Sequence, residues 1–142
     1  MRVASAGNQP LVEWRPGVRT RLHAASMTGA EHLCLIEQLC TPGAGAPAHR
    51  HDAVEEAIVV LEGRAQFFVD EEEAELTAGE SVLVPAGARH GFTNVGEEVL
   101  RVLAVFSDPA PKVEYEGEPE TLEIGARGGH RRDDHRAYRV NE

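Results

Sequence analysis

Histidine and carboxylate side chains stand close together in one short part of this sequence. In PGAGAPAHRHDAVEEAIVVLEG, residues 42–63, His49 and His51 are one residue apart, and Glu55 and Glu56 follow them in an otherwise apolar run. Burying a polar or charged group without a partner costs several kcal/mol, so these side chains need something to bind. Neutral imidazoles with one carboxylate suit Zn, Fe, Ni, Cu or Mn better than Mg or Ca, which prefer oxygen ligands throughout.

The spacing of the two glutamates leaves their roles open. Residues two apart on a strand share a face, so His49 and His51 project to the same side. Glu55, four residues after His51, shares that face on an unbroken strand, whereas Glu56 requires a change of direction. A loop or bulge over residues 52–54 would supply that change, and bulges are common beside active sites. We therefore predict a strand interruption if Glu56 is the ligand.

A third histidine stands in a second polar stretch, VPAGARHGFTNVG. His90 follows a strand-like run and a turn, and Phe92, two residues later, shares its face. A single histidine of this kind is more often a hydrogen-bonded core residue than a ligand. Three histidines and a carboxylate on two β-segments of one small chain instead indicate a site for a divalent transition metal.

The elements that must position these residues are short β-rich segments separated by glycine and proline. Such spacing predicts an all-β sandwich or barrel, and 142 residues correspond to a single domain. From residue 107 onward the sequence is polar and rich in Pro and Gly. This composition predicts an irregular C-terminal extension over 107–142 rather than a second domain, with His130 and His135 on its surface among arginines.

Composition limits the classes of partner. The net charge of −10 argues against nucleic acid, and no apolar run is long enough to span a membrane. The N-terminal sequence lacks the apolar core of a signal peptide, so we expect a cytoplasmic protein. Cys34 and Cys40 lie on one predicted strand, roughly 20 Å apart, which is too far for a disulfide. We expect both to be reduced.

The chain resembles the cupins. Their first motif, G-x5-H-x-H-x(3,4)-E-x6-G, is matched at Gly43, His49, His51, Glu56 and Gly63. Their second motif, G-x5-P-x-G-x2-H-x3-N, is matched at Gly79, Pro85, Gly87, His90 and Asn94. The resemblance covers residues 43–94 and does not extend to the tail.

The resemblance implies a single-domain jelly-roll β-barrel. It implies that one divalent metal ion is held by His49, His51, Glu56 and His90, and so it favours Glu56 over Glu55. Because the flanking strands are compatible with the barrel on both sides, we predict a barrel core at residues 31–106, after an N-terminal segment, 1–30, that we expect to pair strands. The polar extension, 107–142, lies outside the resemblance.

Two classes of function follow from this site. A four-ligand octahedral ion has two open positions, which is typical of catalytic rather than structural sites. Strand parity predicts an apolar pocket wall at Ile58, Val60 and Phe92. We predict a metal-dependent enzyme, either a dioxygenase-like oxidoreductase or a cyclase or isomerase, acting on a small apolar or aromatic organic molecule. The alternative is a non-catalytic module that binds a small molecule. Sequence alone does not place four further polar candidates: Arg21, His23, Gln38 and Glu62.

The strand that follows the histidines is apolar on both faces. Ala57 and Val59 occupy the face opposite to Ile58 and Val60. A strand that is apolar on both faces is usually buried on both. We therefore predict a homodimer, with the C-terminal extension folding back over the sheet as the other source of cover.

Overall fold

The computed structural model describes residues 1–126, and nearly all of its regular structure is β. None of the described residues belongs to a helix long and apolar enough to cross a membrane. One short 3-10 turn, Ser26–Thr28, interrupts the strands. The strands are β1 (Val12–Arg15), β2 (Val18–Ala24), β3 (Cys34–Cys40), β4 (Gly45–Arg50), β5 (Glu56–Glu62), β6 (Arg64–Val69), β7 (Glu72–Thr77), β8 (Ser81–Val84), β9 (His90–Asn94), β10 (Leu100–Phe106), β11 (Lys112–Tyr115) and β12 (Thr121–Glu123).

The strands form two antiparallel six-stranded sheets packed face to face. Sheet I has the order β1-β2-β3-β10-β5-β8, and sheet II has the order β12-β11-β4-β9-β6-β7. From β3 to β6 the chain alternates between the sheets, so sequence neighbours face each other across the core. This architecture confirms the predicted all-β jelly roll, in which wrapping two sheets together limits exposed strand edges.

Strand register arranges the interior side chains in rows across each sheet. The ligand row of sheet I runs across β3, β10, β5 and β8 through Cys34, Phe106, Glu56 and Val84. The ligand row of sheet II runs across β11, β4, β9 and β6 through Tyr115, His49, His90 and Val69. The middle rows lie two residues along each strand, or three along β4, where the register shifts between Ala46 and His49. They include Ile36, Ala104, Ile58 and Val82 in sheet I, and Ala46, Phe92 and Phe67 in sheet II.

The rows beneath the ligand rows form an apolar core. Ile58, Val60 and Val102 are at most 2% exposed, and the Phe67 and Phe92 rings stack with centroids 5.1 Å apart. Burial of each such side chain contributes about 1.5–3 kcal/mol. Cys34 and Cys40 are free and buried in the same core, in agreement with the sequence. The barrel therefore has a source of stability that does not involve a metal ion.

The C-terminal extension differs from the irregular segment that its composition predicts. Its described part forms β11 and β12, and β11 pairs with β4 so that Tyr115 lies opposite His49. Val113 and Tyr115 are 1% and 6% exposed. The physical reason is the alternation in KVEYE, which turns Val113 and Tyr115 inward although the segment as a whole is polar. Residues 127–142, including His130 and His135, lie outside the described part of the chain.

A buried carboxylate, Glu37, lies on the outer face of sheet I. It is 6% exposed and accepts hydrogen bonds from Arg21 at 3.2 Å and Arg101 at 2.6 Å, with His23 Nε2 at 3.0 Å. Burial alone would raise the pKa of Glu37, but the hydrogen bonds from these three side chains outweigh it and lower the pKa to about 2. Arg101 also contacts Glu62. Three of the polar candidates therefore belong to this outer cluster.

Candidate metal centre

The four predicted metal-ligating side chains lie together between the two sheets. His49 is near the end of β4, His51 follows that strand, and Glu56 and His90 begin β5 and β9. All four are buried, at 2–6% exposure. One ligand atom from each lies within 4.8 Å of the others. One histidine of β4, a second just after that strand, and the first residues of β5 and β9 thus converge on one point.

The chain changes direction between His51 and Glu56. Strand β4 ends at Arg50, β5 begins at Glu56, and the turn between them has Ala53 in the left-handed region at φ 56°. Glu56 is 4% exposed and faces the histidines. Glu55 is exposed, and its backbone N–H donates to Ser107 Oγ at 3.0 Å. The predicted interruption is confirmed, and Glu56 rather than Glu55 faces the site.

Each of the three imidazoles is held by a backbone carbonyl. A carbonyl can only accept, so the hydrogen is on Nδ1 and the unprotonated Nε2 of each neutral ring is available to a metal. Such contacts to the second ring nitrogen are usual for metal-binding histidines. The distances from Nδ1 to the carbonyl oxygen are 2.8 Å for His49 to Pro47, 2.8 Å for His51 to Lys112, and 2.9 Å for His90 to Ala88.

Atoms that can donate an electron pair to a metal lie close together at the centre of the cluster. Glu56 Oε1 lies 3.0 Å from His90 Nε2 and 3.2 Å from His51 Nε2. The His51 Nε2 atom is buried and, within residues 1–126, makes no hydrogen bond. Leaving a buried nitrogen unpaired costs about 1–3 kcal/mol, which a bound cation would recover. The donor set of three imidazole nitrogens and one carboxylate oxygen fits a divalent transition metal.

The protonation states of two members of the cluster suit such an ion. Burial, followed by the neighbouring imidazoles of His90 and His51, lowers the pKa of His49 to about 3, so its ring is neutral at pH 7. Burial alone would raise the pKa of Glu56, but the contacts with His51 and His90 lower it to about 2, so it is ionised. Neutral imidazole and ionised carboxylate are the forms that bind metals.

Two aromatic rings lie against the histidines, Tyr115 of β11 and Phe106 of β10. The His49 and Tyr115 ring centroids lie 5.2 Å apart, and those of His51 and Phe106 5.0 Å apart. The Trp14 indole donates to the Tyr115 hydroxyl at 2.7 Å, which joins β1 of sheet I to β11 of sheet II. Tyr115 was missed from sequence. The alternation around it in KVEYE is the signal that could have found it.

The remaining candidates lie outside the cluster. The predicted wall residues Ile58, Val60 and Phe92 are buried in the rows beneath it, at 2%, 0% and 5% exposure. Gln38 donates to Thr20 Oγ1 at 3.1 Å. Its partner Thr20 is 2% exposed. These three apolar residues thus belong to the core rows beneath the centre, and Gln38 makes a separate hydrogen bond.

Asn94, the last residue of the second motif, ties the end of β9 to its surroundings. Its Nδ2 donates to the carbonyl oxygens of Cys40 at 3.0 Å and Glu98 at 2.8 Å, and its Oδ1 accepts from Gly96 N–H at 2.9 Å. The side chain is 2% exposed and fully bonded. Its contacts are therefore structural.

Comparison with known proteins agrees with this geometry. A family model described as "Cupin domain" matches residues 37–106. The chain is 38% identical over 71 residues to polyketide synthase CurC of Streptomyces cyaneus, covering 50% of this chain and 46% of that protein. It is 30% identical over 109 residues to auxin-binding protein 1 of Arabidopsis thaliana, covering 70% and 54%. The chain thus spans about half the length of these two relatives.

Among solved structures, the chain is similar to the polyketide cyclase RemF from Streptomyces resistomycificus. The TM-score is 0.70 at 25% identity, and the match covers 84% of this chain and 88% of that one. The match extends beyond the two motifs to most of the barrel.

Proposed function

We propose that this chain, which belongs to the cupin superfamily, is a metal-dependent enzyme that acts on a small apolar or aromatic organic molecule. The observation that carries the proposal is the buried cluster of His49, His51, Glu56 and His90, in which the His51 Nε2 atom makes no hydrogen bond to the described residues 1–126. These side chains supply four ligands, so an octahedral ion keeps open positions for a reacting molecule. A purely structural ion is usually enclosed by protein ligands.

The reaction class that we favour is cyclisation or isomerisation of an aromatic or polyketide-like compound. The names of the relatives CurC and RemF support this choice. A bound ion would act as a Lewis acid that polarises a carbonyl or enol oxygen. The chain's own contribution is to hold three neutral imidazoles at fixed tautomers and to exclude water with the apolar rows beneath them. Glu56 lowers the net charge of a divalent centre by one unit.

The second candidate is a dioxygenase-like oxidoreductase. Its support is the ligand set, since three imidazoles and a carboxylate are suitable ligands for Fe, Mn, Cu or Ni as well as for Zn. The third candidate is a non-catalytic binding module, which the similarity to auxin-binding protein 1 supports. The identity of the bound ion and the fate of the organic molecule distinguish these three functions.

The test combines elemental analysis with a turnover panel. We expect about one transition-metal ion per chain in the wild type and in His32→Ala, whose histidine is exposed and outside the cluster. His51→Ala and His90→Ala should lose the metal. Equal metal content in all four proteins would refute the site. Zinc with conversion of enol or polyketide-like substrates supports the cyclase, and oxygen uptake with a redox metal supports the oxidoreductase. Metal binding without any turnover supports the binding module.

We also propose a homodimer formed through the outer face of sheet I. Leu35, Val105, Ala57 and Leu83 form an apolar row across four adjacent strands. Val105 and Leu83 are 38% and 61% exposed. A second copy placed on this row would cover both. Sedimentation should give a dimer for the wild type and a monomer for Val105→Glu, and a monomeric wild type would contradict the proposal.

The two free thiols are consistent with the reducing cytoplasm that the sequence predicts.

A further inference from the structure

A cavity opens between the edge strands of the two sheets, on the side away from β11 and β12. Strand β7 ends sheet II there and β8 ends sheet I. The cavity has a volume of about 270 Å³. Its interior wall is formed by apolar side chains: Phe67, Val69, Ala74, Leu76, Val82 and Pro85. At the other ends of the sheets, the bond between Trp14 and Tyr115 joins β1 to β11.

Two of the strands that form this cavity, β6 and β8, are neighbours of β9 and β5, which carry ligands of the metal centre. Val69 on β6 is the register partner of His90, and Val82 on β8 is the partner of Ile58. Neighbouring strands lie about 4.8 Å apart, so each of these residues is one strand away from the cluster or from the row beneath it. Phe67 stacks on Phe92. Two residues predicted from sequence as the pocket wall therefore stand directly behind the residues that line the cavity.

We infer that the organic molecule served by the metal centre binds in this cavity, and that it is a neutral, flat, apolar molecule of one or two rings. This inference rests on the proposed function. The volume is near the lower end of the roughly 300–1,000 Å³ of typical ligand pockets, which limits the size of the molecule. The Phe67 ring and the aliphatic wall supply the surface on which an aromatic ring would pack.

The charges at the mouth of the cavity disfavour an anion. Asp70, Glu72 and Glu73 line it, and within residues 1–126 neither Glu72 nor Glu73 has a salt bridge. Arg89 lies over the ring of Phe68, another lining residue, at 5.2 Å but is paired with Glu116. The mouth therefore has a negative potential. A carboxylate-bearing compound would meet like charge, and a phenol or enol would not.

The first experiment measures probe binding to metal-free protein. We expect 2-naphthol to bind at least about tenfold more tightly than 2-naphthoate, its carboxylate analogue. Ala74→Trp should fill the cavity and weaken 2-naphthol binding by at least about tenfold, whereas Ala74→Ser should stay within about twofold of the wild type. The matched control is Ala78→Trp, which adds the same side chain in the exposed β7–β8 turn and should change nothing.

The charge argument has its own variant. Replacing Glu72 and Glu73 by glutamine should raise the affinity for 2-naphthoate by about fivefold and leave 2-naphthol unchanged. If 2-naphthoate binds as tightly as 2-naphthol to the wild type, the assignment of a neutral molecule is wrong. If Ala74→Trp and Ala78→Trp behave alike, the cavity is not the binding site.

A second experiment relates the cavity to the metal. With Mn²⁺ bound, the proton resonances of 2-naphthol should broaden, and His51→Ala should remove the broadening while leaving metal-free binding intact. Binding of 2-naphthol without broadening in Mn²⁺-loaded wild type would overturn the link between cavity and centre. Failure of the wild type to take up Mn²⁺ or any other transition metal would overturn the proposed function instead. The affinity of metal-free protein for 2-naphthol distinguishes the two outcomes, because it is measured without a metal.

Discussion

The hydrogen bond that orients His51 is the basis of our most specific prediction. His49 and His90 donate to carbonyls two residues earlier in their own segments, whereas His51 donates to Lys112, 61 residues away on β11. The position of that carbonyl depends on how β11 packs. Val113, the next residue, is 1% exposed and belongs to the core. We therefore expect Val113→Ala to loosen β11 and, through it, the His51 ring.

The magnitude has two parts. Truncating a buried valine to alanine removes about two methylene equivalents and should lower the free energy of unfolding by about 2 kcal/mol. Loss of an outer hydrogen bond to a metal-binding histidine typically reduces metal affinity by about 10–100-fold. Val113→Ala should therefore lose both stability and affinity. Val102→Ala removes the same group from a valine that is 0% exposed and lies on β10 four residues before Phe106 of the ligand row, so it should lose stability alone.

The assay is chelator competition for the metal at a temperature where all variants are folded, together with thermal melting. Lys112→Ala serves as a further control, because it removes an exposed side chain and keeps the carbonyl that His51 uses. Its metal affinity should equal that of the wild type. If Val113→Ala and Val102→Ala lose metal affinity equally, the long-range hydrogen bond has no special role and the reasoning fails.

Three other predictions follow from the structure. Gly91→Ala would bring a Cβ atom against the Ala46 carbonyl oxygen, and melting should show a loss of about 1–3 kcal/mol that the control Gly7→Ala, at an exposed glycine without a positive φ, lacks. In Asn94→Ala the Cys40 carbonyl loses its donor, so stability should fall by about 1–3 kcal/mol while metal content stays constant. Glu37 has a folded-state pKa of about 2 against an ordinary 4.5, so it stabilises the fold above about pH 4.5 and loses this effect as the pH falls towards 2. The free energy of unfolding of metal-free protein, measured by urea titration at several pH values, should fall by about 2 kcal/mol less in Glu37→Gln than in the wild type over this pH range, after allowance for solvent screening at the partially exposed partners. An equal pH dependence of the two proteins would contradict the prediction.

The ligand set shows how much of the metal site residue types and spacing can predict. Three histidines and a glutamate near β-segments were enough to predict a transition-metal site. Strand parity also required a break before Glu56, and the structure has one around Ala53. Parity could not choose between Glu55 and Glu56, because the direction of a side chain after a turn depends on backbone torsions that the residue types there do not fix. The family motif supplied that choice.

The C-terminal extension illustrates a limit of composition. Its polar, Pro-rich and Gly-rich average predicted an irregular segment, yet β11 completes sheet II beside the cluster. An average hides alternation, and a strand with one buried face needs only every second residue to be apolar. Val113 and Tyr115 satisfy that pattern within four residues. A search for alternation over only four residues would have predicted β11, but a search over so few residues also assigns many strands wrongly elsewhere.

The hydrogen bond between β11 and His51 could not be predicted from residue spacing or from composition. The acceptor is the backbone carbonyl of Lys112, and every residue type has the same carbonyl, so the residue types do not indicate this contact. The sequence indicates only the apolar alternation that packs β11 against the core. The same alternation therefore serves packing and, through one hydrogen bond, the orientation of a metal-ligating ring. Because His51 is also the residue whose Nε2 has no hydrogen bond in residues 1–126, a bound ion and a well-packed β11 should each stabilise the other, since both act on the same imidazole.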